Sequence, residues 1–410
     1  MLRPLDVDRV RDGIPALQRA VDGRSVAHLD GPAGTQVPQV VIDAMAEALQ
    51  SGLSNLGGSF SSSKDAGTVV REARLAAADL FGGEPDEIVF GQNMTSLTFS
   101  LSRAIAREWG EGDEIVVTAL DHDANVTPWR LAAGDRGATV RMAGLRPEDG
   151  TLDLASLAEV VGERTRLIAV TAASNAVGTV TPLDTIIEMA RGVGAQVFVD
   201  AVHYSAHRIS NVSSLGADFL AASAYKFCGP HTGMLWARSE HLRNLTPYKV
   251  APAPEVGPGR WETGTQSFEA LAGVRAAIDY LASLGAGQSR RDRLESAFGA
   301  IRVHEDAMAA RFLAGVAEMP GVTVHGISDP ARIDERVSTF AVGVAGVAAG
   351  DVAAELGRRG IFVWSGNFYA ISVLDRLTLA DKGGLVRIGF VHYNTQDEVD
   401  RVLTALDDLA

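Results

Sequence analysis

The sequence predicts an α/β protein: a large domain built on a mainly parallel seven-stranded sheet covered by helices, then a smaller α+β domain. Three observations carry this. Short apolar runs recur at residues 88–90, 114–118, 138–141, 167–170, 196–199, 219–222 and 233–237. They are continuously apolar rather than alternating, as strands buried on both faces require. Helical stretches separate most of them, which makes the connections crossovers and the sheet mainly parallel.

After the seventh run a Pro/Gly-rich stretch, residues 251–259, breaks the pattern and reads as a loop. A helix is expected over 268–284 and a charged helix over 289–315. Strands near 340–342, 361–363 and 386–389 and an amphipathic helix over 396–409 form the smaller domain. The expected division is a segment of residues 1–25 packing on the small domain, a large domain of 26–265, and a connecting helix with the small domain over 266–410.

With 410 residues, 46% of them hydrophobic, the chain can bury two cores. A net charge of −14 opposes nucleic acid and anionic membranes as partners. Residues 1–8 are interrupted by Arg3, Asp6 and Asp8, so no apolar leader is expected there, and no segment approaches the ~20 apolar residues that span a bilayer. One cysteine excludes an intrachain disulfide and a Cys-based zinc cluster, and no metal site is expected. The expected setting is the cytoplasm.

The chemistry concentrates at strand ends, where parallel sheets bind ligands. Asp200 closes the run at 196–199, and Lys226 follows the run at 219–222 within Ser223-Ala224-Tyr225-Lys226. Pyridoxal phosphate (PLP) needs such a pair. The lysine amine forms a Schiff base with the cofactor aldehyde. The aspartate keeps the pyridine nitrogen protonated, so that the ring can act as an electron sink. Gly91-Gln92-Asn93-Met94-Thr95-Ser96 follows the first run and opens a helix, whose free N–H groups and hydroxyls suit a phosphate. The same residues also suit N-capping. Ser223 can reach that phosphate, and Thr265 is a third hydroxyl candidate. Asn175 is a donor to the cofactor phenolate or to a substrate carboxylate, or else a turn residue. His203, three residues after Asp200, can reach the phenolate side.

These pieces, with His28 to Gly34, Asp121 to Trp129 and Arg387 ahead of Tyr393-Asn394-Thr395, resemble in this order the class V aminotransferase family of fold-type I PLP enzymes. Within it they are most similar to the cysteine desulfurase-like branch. The resemblance runs from about His28 to the C-terminal helix. It implies Lys226 as the Schiff-base lysine and Asp200 as its pyridine partner. Met94, Thr95 and Ser223 would hold the phosphate, and Thr265 would hold it from the neighbouring subunit of a homodimer. Arg387 would bind the substrate carboxylate, a task suited to a bidentate guanidinium.

The sequence also departs from that branch. Tyr369, within Trp364-Ser365-Gly366-Asn367-Phe368-Tyr369, stands where desulfurases carry a nucleophilic cysteine, and a phenol cannot form a persulfide. Tyr369 and Asn367 are expected beside the substrate as a lid or a wall. Asp123 stands where the branch places a histidine over the cofactor ring. Either His122 takes that place, or Asp123 does acid–base work, or the ring is covered otherwise. Tyr225 replaces a histidine near the phosphate, and His203 a glutamine. The expected function is a PLP enzyme acting on an amino acid or its conjugate through an external aldimine and Cα deprotonation. β-Elimination of the C–S lyase type leads, rather than persulfide-forming desulfuration. A class V aminotransferase or an amino-acid epimerase is the alternative, and a non-catalytic PLP-binding protein the minor one.

Overall fold

The computed structural model describes residues 4–379 and 383–410, so residues 1–3 of the expected N-terminal segment lie outside it. Seven strands build the large sheet: β1 (Ile88–Gly91), β2 (Glu114–Thr118), β3 (Thr139–Ala143), β4 (Thr165–Thr171), β5 (Gln196–Asp200), β6 (Phe219–Ser223) and β7 (Gly233–Ala237). Their order is β1-β7-β6-β5-β4-β2-β3. Only β7 runs antiparallel to its neighbours β6 and β1. Neighbouring residues along a strand enter opposite cores. Ile115, Val117, Leu167, Ala169 and Phe198 face one cluster, while Val116, Ile168, Val170, Val197 and Val199 face the other. A period of two in which both faces are apolar gives the continuous runs seen in the sequence.

Helices α1 (Ser61–Phe81), α2 (Met94–Ile105), α3 (Phe268–Ser283), α4 (Arg290–Ala317) and α5 (Gln396–Asp407) include the main layers and the domain connection. α1 and α3 cover one face, and α2 covers the other through Leu97 and Leu101. α2, α4 and α5 each begin with a reciprocal capping box, at Asn93 and Ser96, Ser289 and Asp292, and Thr395 and Glu398. α1 ends at Gly82, whose φ of 73° is the left-handed conformation that glycine adopts without strain.

The small domain carries an antiparallel sheet of β8 (Val322–His325), β9 (Thr339–Val344), β10 (Trp364–Gly366) and β11 (Leu385–Gly389), ordered β8-β9-β11-β10. The expected strand at 361–363 pairs elsewhere. Ile361–Phe362 runs parallel to Ala27–His28, and the small sheet resumes only at Trp364. Near the N-terminus, Val10, Ile14 and Leu17 pack on Val391 and Tyr393, and Arg11 pairs with Glu398 at 3.0 Å. The carboxyl ends of β5 and β6 and the face of β11 bound one cavity. No helix among the described residues is long and apolar enough to cross a membrane.

Candidate active site

The cavity has a volume of about 640 Å³. Lys226 and Asp200 both line it. Lys226 sits one short helical turn beyond β6, and its Nζ donates to Pro32 O. Gly389 on β11 makes that carbonyl available: a Cβ there would lie 2.2 Å from the Pro32 ring, so only glycine lets the two segments close. Burial of the ammonium, followed by repulsion from Arg387, pulls Lys226 down to about 7, against a partial restoring pull from Asp200. Asp200 ends β5 and is 4% exposed. Burial pushes its carboxyl up to about 6, although the Val202 N–H, at 2.9 Å from Oδ1, and Lys226 act in the opposite sense.

At the other end of the cavity, Asn93 caps α2 by accepting from Ser96 N at 2.9 Å. The Met94 N–H donates to Ser223 Oγ at 3.0 Å, and Thr95 borders the cavity. Gly233 permits this seat, because a Cβ there would meet the Asn93 backbone at 2.4 Å. Tyr225 lines the same end with His231 stacked on it, ring centroids 4.9 Å apart and planes 15° apart.

The far wall comes from the small domain. Arg387 on β11 is 6% exposed, and its Nη1 donates to Asn175 O at 3.0 Å. Its guanidinium lies 4.6 Å from the centroid of the Phe368 ring. Burial lowers it to about 10, so it stays charged at neutral pH. The Asn175 amide donates to Phe368 O at 2.9 Å. His203 Nε2 contacts Thr339 Oγ1 at 2.9 Å. Buried Asn175 Oδ1 and His203 Nδ1 have no hydrogen-bond partner among the described residues. Both residues line the cavity, so a polar ligand there would relieve two unpaired groups.

Of the adjacent pair, His122 is the side chain at the cavity. Its ring stacks on Tyr369 with centroids 5.4 Å and planes 20° apart. Burial, then the charges of Lys226 and Arg387, lower it to about 4, so the ring is neutral near pH 7. Nδ1 accepts the Ala124 N–H at 3.0 Å, which leaves the ring proton on Nε2.

Three expected site residues lie elsewhere. Asp123 is not among the residues that line the cavity, and its carboxylate accepts from Thr127 Oγ1 at 2.9 Å. Asn367 accepts from Tyr369 N at 3.0 Å, shaping the turn rather than facing substrate. Thr265 is exposed and away from this chain's cavity. Tyr369 borders the cavity, but 68% of it remains exposed. Sequence reasoning missed His231, Phe368 and Thr171, all of which line the site. His231 is a single histidine in a loop and carries no periodic signal. Phe368 adjoins Tyr369, and as an apolar residue in a short turn it carries no signal of its own. Cys228 does not line the cavity and is wholly buried.

A lysine amine, a buried carboxylate, a helix N-terminus flanked by hydroxyls and unpaired polar atoms between them fit PLP. Lys226 would take its aldehyde, Asp200 its ring nitrogen, and Thr95 and Ser223, with the start of α2, its phosphate.

Known proteins place the chain in the same group. A cysteine desulfurase of Dickeya dadantii strain 3937 is 32% identical over 422 residues, covering 98% of this chain and 96% of that protein. The apo structure of a cysteine desulfurase from Thermococcus onnurineus NA1 superimposes with a TM-score of 0.88 at 27% identity, covering 99% and 98% of the two chains. A cysteine desulfurase of Escherichia coli, seen as its S-sulfonic acid, gives a TM-score of 0.84 at 26% identity, covering 99% of each. The family model for aminotransferase class V matches residues 27–402, and the chain belongs to that family of PLP-dependent enzymes.

Proposed function

We propose that this enzyme is a PLP-dependent lyase that eliminates a β-substituent from an amino acid or amino-acid conjugate, and does not form a persulfide on itself. The observation that carries the proposal is the state of its sole cysteine. Cys228 is fully buried outside the cavity, and burial pushes its thiol up to about 12. A sulfur acceptor must ionise and reach the substrate. The segment that borders the cavity offers the Tyr369 phenol instead.

Bound PLP supplies an electron sink for the bond-breaking at Cα and Cβ. The chain's own residues do the rest. Arg387 holds the substrate carboxylate, already braced by Asn175 O and the Phe368 ring. The Lys226 amine, held near 7, can take the Cα proton and return it at neutral pH. Asp200, in a low-dielectric setting, keeps a proton on the ring nitrogen. His122 presents a neutral ring to the cavity. We also propose a cytoplasmic homodimer with two composite sites. Its support is the Thr265 resemblance, together with exposed apolar side chains at Val40, Leu49, Leu56 and Phe60.

The test is product identity. The PLP-loaded enzyme given cysteine or an S-substituted cysteine should release pyruvate, ammonia and sulfide or thiol. Alanine as co-product, with a persulfide found on Cys228 by mass spectrometry, would restore a desulfurase. A pyridoxamine form left after one half-reaction would point to transamination.

A further inference from the structure

Two exposed aromatic rings stand at the cavity mouth. Trp364 is 56% exposed and Tyr369 68% exposed, and both line the cavity. Their placement is built in. Trp364 is the cross-strand partner of Arg387 on the antiparallel pair β10 and β11, so the two side chains share one face of the sheet. A substrate anchored by its carboxylate on Arg387 therefore has its side chain within reach of Trp364.

Tyr369 is held by an independent set of contacts. Its N–H donates to Asn367 Oδ1 at 3.0 Å, and its carbonyl accepts the Asp123 N–H at 2.8 Å. Phe368 O, just before it, accepts from the Asn175 amide at 2.9 Å. Phe368 and Tyr369 have φ of 55° and 57°, a left-handed conformation that bulky residues rarely adopt. Two consecutive aromatic residues kept there by three hydrogen bonds mark a conformation retained for what it presents. One face of the Tyr369 ring lies on His122, and the rest of the ring remains largely exposed.

We propose that Trp364 and Tyr369 form an acceptor site for an aromatic substituent, so that the preferred substrate is a cysteine carrying an aryl or arylalkyl group on sulfur. The elimination rests on the function proposed above; the recognition of the ring does not. In the reaction the Cβ–S bond breaks and its electron pair leaves with sulfur. The sulfur takes up a proton to leave as the aromatic thiol, the Cα proton passes to Lys226, and water converts the released enamine to pyruvate and ammonia. No oxidant or reductant is needed.

The probes are S-benzyl-L-cysteine and S-methyl-L-cysteine. For the PLP-loaded enzyme, kcat/KM should favour the benzyl compound by about tenfold or more, as two ring contacts imply. The ratio should fall toward one in the Trp364→Ala/Tyr369→Ala protein and persist in Tyr369→Phe, which keeps the ring. Binding is read separately, by calorimetry on PLP-loaded Lys226→Ala protein and by quenching of tryptophan fluorescence that is absent from its Trp364→Phe derivative. The benzyl compound should bind more tightly by a similar factor. Circular dichroism and PLP content establish that each variant is folded. Equal kcat/KM for the two compounds, or a ratio unchanged by the double substitution, overturns the aromatic site and leaves the lyase standing. Selective benzyl binding without pyruvate sinks the lyase and supports the aromatic site.

Discussion

Cys228 should be close to inert toward a disulfide reagent in the folded enzyme. Its thiol lies near 12, raised by complete burial, and its Sγ is 3.9 Å from His392 Nε2. His392 gives little help to ionisation, because burial lowers it to about 3 and makes its ring too weak a base to hold the thiol proton. At pH 8 the thiolate fraction is about 10⁻⁴, against about a quarter for a free cysteine near 8.5, a loss of roughly two-thousandfold. A thiolate of higher pKa is intrinsically more nucleophilic, by about 40-fold over this range at a Brønsted slope of ~0.45. Ionisation alone therefore leaves about a 50-fold deficit, and steric exclusion at 0% exposure multiplies it. The assay is exchange with an aromatic disulfide, followed by absorbance on the native enzyme and again in guanidinium. One thiol per chain should appear only on unfolding. Reaction of the native enzyme at the free-thiol rate, with its circular dichroism unchanged, would refute the reasoning and remove the main support for elimination over persulfide formation.

Uptake of PLP by cofactor-free protein should report the Lys226 value. Imine formation needs the neutral amine, so the rate should rise about tenfold per pH unit below 7 and level above it, whereas an ordinary lysine would keep gaining to about pH 10. A profile still climbing at pH 9 contradicts the placement of Lys226 beside Arg387 in a dry site. Arg387→Ala should lose about 2–5 kcal/mol in kcat/KM toward carboxylate-bearing substrates while PLP content holds; unchanged kinetics would take the carboxylate role away from it. Thr265→Ala should weaken PLP retention in the assembled enzyme, and sedimentation should show a dimer. A PLP-loaded, active monomer would end the composite-site reading.

What the sequence made legible follows from burial. Strands β1, β2 and β4 to β7 are covered on both faces, so their apolar runs are uninterrupted and their ends can be read to within a residue or two. β8 and β10 were not legible: Val322–His325 is half-buried, and Trp364–Gly366 is three residues of mixed character that pair only because β11 lies beside them. The site divides in the same way. Asp200 and Ser223 sit at strand ends, and Lys226 one short turn beyond, where chain direction aims them at the ligand face. His122 and Asp123 are neighbours in a short turn, and which one enters the cavity depends on the His122 ring accepting the Ala124 N–H while the Asp123 carboxylate turns to Thr127. No periodicity encodes that choice. The rings of His231 and Phe368 acquire a role only from partners distant in the chain or set by the fold, Tyr225 for one and Arg387 for the other. The residues that define the chemistry therefore belong to the rigid sheet and were readable. Those that shape the space around the substrate belong to a short strand and to turns, at Trp364 and at Phe368-Tyr369, whose places are set by partners distant in the chain: Arg387 across the sheet, and the Asn175 amide and the Asp123 N–H on the turn.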